Sequence, residues 1–121
     1  MPDAPIDAAA LAELLETVGD DREFLAELVD TYLADSPNLF AELRAAIAGD
    51  DAAAARRAAH SLKSTSASFG ANTLAAQCRE MEAAAAAGDL VGLDQQVELA
   101  AASYAQVEVA LRAAVMTGET A

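Results

Sequence analysis

The chain has 121 residues, 20 acidic against seven basic, and a formal net charge of −13. That length suits one domain around one core, and that charge argues against nucleic acid and anionic membrane surfaces as partners. Hydrophobic residues make up 55% but aromatics only 4%, so an all-α chain is expected, with a thin core of leucines, valines and three phenylalanines.

Met1–Ala10 is acidic and proline-bearing, with neither the basic start nor the apolar run of a leader. No stretch approaches the ~18 apolar residues of a spanning helix. Cys78 is alone, which excludes an intrachain disulfide and fits a cytoplasmic setting.

Residues 1–5 read as a flexible start. Asp7 is a good N-cap, and Ile6 with Leu11 has hydrophobic-staple spacing. The helix they predict, over residues 8–17, presents Leu11, Leu14, Leu15 and Val18 and stops at Gly19. Asp20 or Asp21 caps the next, where Phe24, Leu25, Leu28, Val29, Tyr32 and Leu33 recur at helical spacing, followed by Leu39, Phe40, Leu43 and Ile47. Between the two runs stands Pro37, which either opens a new helix or kinks a single one over residues 21–48. The continuous stripe favours the single helix. Gly49-Asp50-Asp51 reads as a stop and then a cap for a helix over residues 51–69. Asn72 is the expected cap of a helix over 72–87, with Leu74, Cys78, Met81 and Ala85 on one face. After Gly88-Asp89, a last helix over 90–115 carries the cleanest stripe: Leu93, Val97, Ala100, Tyr104, Val107 and Leu111. Residues 117–121 should fray. Short connections force antiparallel neighbours, so the expected fold is an up-down-up-down four-helix bundle with the short first helix covering one end. No repeat, linker or second domain is visible; residues 1–121 form one domain with an ordered core over 6–116.

Ala58–Gly70 holds the only histidine, His60, and the only lysine, Lys63. On a helix, Arg56, Lys63 and Ala67 fall within ~60° of His60 on one side, and Ala53, Ser64 and Arg57 within ~60° on the other. Opposite lie Ala55, Ala58, Leu62, Thr65 and Phe69, a stripe suited to a core. The histidine is therefore expected to face water, ringed by three of the seven basic residues of an acidic chain. An anion carried on the imidazole would account for that local reversal of sign.

His60-x-Leu62-Lys63, followed by Gly70 and preceded by Ala58-Ala59, resembles the signature of histidine-containing phosphotransfer (HPt) domains, and the likeness runs from about Ile6 to Val115. The family often has glycine after the lysine; here it is Ser64, also small. The resemblance implies a phosphorelay intermediate. A phosphoryl group arrives from a receiver phospho-aspartate, rests on His60 and leaves to another receiver aspartate. Response-regulator receiver domains and a hybrid histidine kinase are the implied partners, and any magnesium belongs to the receiver. No cofactor or metal is expected in this chain, and an exposed docking face suits a monomer.

Phosphoryl transfer asks mainly for positioning and for stabilisation of charge on the equatorial oxygens. Lys63, one turn on, and Arg56 and Arg57, one turn back, are placed to supply positive field. Ala53, Ser64 and Ala67 leave a low surface for a flat partner, and Gly70 turns the chain beyond it. By resemblance, a glutamate or glutamine on the following helix orients the ring. Glu82 is the match, and Glu80 its competitor. Ser61, Thr65, Ser66 and Ser68 read as packing and backbone-bonding residues. There is no nucleotide loop and no acidic metal cluster around the histidine, so a stoichiometric carrier rather than an enzyme is expected. The rival reading is a non-phosphorylated helical adaptor that binds receivers. A metal or haem bundle is disfavoured, because His60 faces out and Cys78 lies on a core stripe.

Overall fold

A computed structural model describes residues 4–116, which form five helices and no strand. They are α1 (Ala8–Thr17), α2 (Arg22–Ala48), α3 (Ala52–Ser68), α4 (Asn72–Ala86) and α5 (Leu93–Met116). The expected fraying at 117–121, and the first three residues of the expected flexible start, lie outside the described residues.

Three aspartates open helices as expected. Asp7 accepts the Ala9 N–H at 3.0 Å, Asp21 that of Phe24 at 3.0 Å and Asp51 that of Ala54 at 3.1 Å, each satisfying a donor that has no partner inside its helix. Asn72 does not cap α4. It is the first helical residue, and the cap position is Ala71, which has no side-chain bond and is fully buried. A polar cap there would have to point into the core. Four helix ends share one wrapping, in which an amide reaches back five residues: Asp20 to Leu15, Asp51 to Ala46, Ala71 to Ser66 and Asp89 to Ala84. At the end of α2 the left-handed residue is Asp50 (φ 56°), while Gly49 keeps an ordinary φ of −89°.

α2 continues through Pro37 as one helix. Proline has no N–H, so the Leu33 carbonyl loses its intrahelical donor. The Tyr104 hydroxyl of α5 donates to it instead, at 3.3 Å. Beside it, the Ser36 hydroxyl donates to the Tyr32 carbonyl at 2.7 Å.

α2 packs against α3 and α5, and α4 against α3 and α5. This is the four-helix bundle expected. α1 lies across α2 and α3. The core is built from Leu43, Leu62, Leu74, Met81, Leu93 and Leu111, all under 2% exposed. Phe40 and Phe69 are buried, but Phe24 is 45% exposed: Leu25, next to it at the start of α2, takes the inward direction. Tyr32 joins Phe69 and Tyr104 in an aromatic cluster with ring centroids 4.9 and 5.9 Å apart. Cys78 is buried, and burial pushes its thiol up to about 12.

Candidate functional site

α3 contains no acidic residue. Its buried side consists of Ala55, Ala58, Ala59, Leu62 and Ser66, with Phe69 just beyond. Thr65, expected in that stripe, is exposed and bonds back to the Ser61 carbonyl at 2.9 Å. Ser66 takes the inward position because its hydroxyl meets the Tyr32 hydroxyl of α2 at 2.8 Å, which satisfies both buried groups. The stripe phases α3 so that His60 points outward, its side chain 57% exposed.

Opposite His60, α4 supplies Glu82. One carboxylate oxygen lies 2.9 Å from His60 Nδ1 and the other 2.6 Å from Lys63 Nζ. Glu82 and Lys63 are only 16% and 26% exposed, so both contacts are partly shielded from water. The Lys63 ammonium, and after it the His60 hydrogen bond, hold the Glu82 carboxyl below the usual carboxylate range against the opposing effect of burial. An ionised carboxylate only accepts, so His60 donates through Nδ1–H. In the neutral ring this leaves the Nε2 lone pair free, on a side chain that faces water. The geometry resolves the choice between the two candidate glutamates: Glu82 meets His60, and Glu80 is exposed.

His60 and Glu82 border a hollow of about 530 Å³ with Ala53, Arg56, Arg57 and Ser61. Arg56 and Arg57 are exposed on its rim. Ser64 and Ala67 are exposed on the same helix, as the spacing required. Lys63 does not stand free, being paired with Glu82. Gly70 is not brought to this surface: it is buried, with φ +75°, and its carbonyl accepts the Asp7 N–H at 2.8 Å. A Cβ there would lie 2.9 Å from both the Asp7 carbonyl oxygen and the Ala10 Cβ. Gly70 therefore fastens α1 to the α3–α4 turn.

Among the described residues no three His, Cys, Asp or Glu side chains gather as a metal site, and no helix is long and apolar enough to cross a membrane.

A helical bundle that holds one histidine outward, one ring nitrogen tied to a carboxylate and the other open, is the architecture of a histidine phosphocarrier. The chain belongs to the Hpt domain family, whose model matches residues 27–115. It is similar to the crystal structure of histidine-containing phosphotransfer protein B (HptB) from Pseudomonas aeruginosa PAO1. The two share 31% sequence identity at a TM-score of 0.87, over 96% of this chain and 98% of that one. A comparison with curated proteins gives no match. Family membership assigns the chain histidine phosphotransfer in phosphorelays, in the two-component setting of response regulators and kinases.

Proposed function

We propose that His60 accepts a phosphoryl group on Nε2 from the phospho-aspartate of one receiver domain and passes it to the aspartate of another. The observation that carries this reading is the Nδ1–Glu82 bond of 2.9 Å, which leaves Nε2 as the free nucleophile. In the forward step the Nε2 lone pair forms the N–P bond while the acyl phosphate P–O bond breaks, and the aspartate leaves as carboxylate. The ring keeps its Nδ1 proton and becomes cationic, and Glu82 supplies the opposite charge. Lys63 exchanges Glu82 for the equatorial oxygens of the phosphoryl group. Arg56 and Arg57 attract the acidic receiver pocket, and the small residues Ala53, Ser64 and Ala67 let it come close. The upstream donor is a hybrid histidine kinase with its receiver, and the setting is the cytoplasm.

The test is transfer of labelled phosphoryl from a panel of phosphorylated receiver domains. The product should be acid-labile and base-stable and should map to His60. A His60→Gln variant that relays as well as the parent would establish the adaptor reading instead.

A further inference from the structure

α3 carries five hydroxyls after His60, and three of them are committed. Ser66 meets Tyr32, Thr65 donates to the Ser61 carbonyl, and Ser68 donates to the Ser64 carbonyl at 3.1 Å. Among the described residues the hydroxyls of Ser61 and Ser64 have no partner. Ser61 is half-buried and borders the hollow beside His60.

The cations divide in the same way. Arg44, Lys63 and Arg112 lie 2.9, 2.6 and 2.9 Å from a glutamate. Arg56 and Arg57, which also border the hollow, pair with no described carboxylate in a chain that has 20 acidic residues. Arg57 and Ser61 stand one turn apart, on the side of His60 away from Lys63. From α4 only Glu82 lines the hollow; Arg79 and Glu80 are exposed outside it.

A phosphoryl group brings a charge near −2 at neutral pH. The imidazolium formed on attachment offsets one unit. Lys63 and Glu82 neutralise each other, so Lys63 reaches the phosphoryl only by leaving a carboxylate that faces the same ring. Arg57 leaves nothing behind. Its guanidinium and the Ser61 hydroxyl present N–H and O–H donors to the non-bridging oxygens with no contact broken first.

We propose that between transfers the phosphoryl group on His60 rests in this hollow, held by the Arg57 guanidinium and the Ser61 hydroxyl. Lys63 stays on Glu82 meanwhile and exchanges only during transfer. The inference rests on the reading that Nε2 carries the group, and it gives Arg57 a task beyond attracting a receiver.

The test loads the full chain with phosphoramidate, for which His60 is the only histidine. The phosphorus resonance is then titrated at low salt through the second phosphoryl pKa, near 6. A cation or donor beside the group favours its dianion and lowers the midpoint. Arg57→Gln should raise it by at least ~0.5 pH unit, the scale of one exposed charge a few ångströms away. Arg56→Gln should raise it less, and Ser61→Ala should raise it as well, with helicity unchanged. Arg112→Gln removes the same charge on α5 and should leave the midpoint in place. No shift in Arg57→Gln or in Ser61→Ala, a larger shift in Arg56→Gln, or an equal one in Arg112→Gln would each overturn the inference, even while transfer from receivers succeeds. Loading on Nδ1, told from Nε2 by chemical shift, or no loading at all, would overturn the reading and the inference together.

Discussion

Replacing Glu82 in two ways separates what its charge does from what its hydrogen bond does. Glu82→Ala leaves His60 Nδ1–H and Lys63 without their acceptor. A hydrogen bond to a charged group is worth ~1.5–3 kcal/mol, but His60 is 57% and Lys63 26% exposed, so solvent screening discounts each contact to about 1 kcal/mol. Losing the ring's anchor should then slow phosphorylation about tenfold, since ~1.4 kcal/mol of barrier is a factor of ten. In Glu82→Gln the amide oxygen can still accept from Nδ1–H, while its NH₂ group faces Lys63 and cannot bind it, so transfer should fall only a few-fold. The assay is single-turnover transfer of labelled phosphoryl from a phosphorylated receiver. The stability of the two proteins should also differ with pH in a defined direction. Because the folded Glu82 carboxyl lies below its unfolded value, its contribution is present above about pH 4.3 and is lost as pH falls through the folded pKa. The stability gap between parent and Glu82→Gln should thus be full at neutral pH and close on acidification. If Glu82→Ala accepts phosphoryl at the parent rate, the ring needs no partner at Nδ1 and the reasoning fails.

Lys63→Ala should slow transfer without loss of helix by circular dichroism, because Lys63 packs at the surface against Glu82 and not in the core. Leu62→Ala should do the reverse: the side chain is fully buried, and urea titration should show a loss of about 2–5 kcal/mol. Tyr104→Phe should cost about 1 kcal/mol, because Pro37 leaves the Leu33 carbonyl dependent on that hydroxyl. In a Pro37→Ala background the new N–H can serve Leu33, and most of that cost should vanish. Gly70→Ala should destabilise the chain and loosen α1 in hydrogen exchange, since its Cβ would press on the Asp7 backbone.

The bundle was legible because its stripes are carried by large side chains: every member of the α5 stripe from Leu93 to Leu111 is buried. The outward turn of His60 was legible for the same reason, since Ala55, Ala58 and Leu62 fix the phase of α3. What failed depended on partners distant in sequence. Thr65 looked no more polar than Ser66, and only Tyr32, 34 residues away, decides which of them is buried. Gly70 announced a turn but not that Asp7 would close on it. Asn72 is a good cap by type, yet the position the backbone offers is Ala71, turned into the core. Glu82 came from family resemblance, and spacing alone could not separate it from Glu80.

Cys78 has a consequence of its own. With burial pushing its thiol up to about 12, the reactive thiolate is scarce at neutral pH, and the sulfur is shut away besides. Oxidants and electrophiles that modify exposed cysteines have no foothold here while the helices stay together. A thiol reagent would therefore time the rare moments when the bundle comes apart, a stopwatch already built into the native chain.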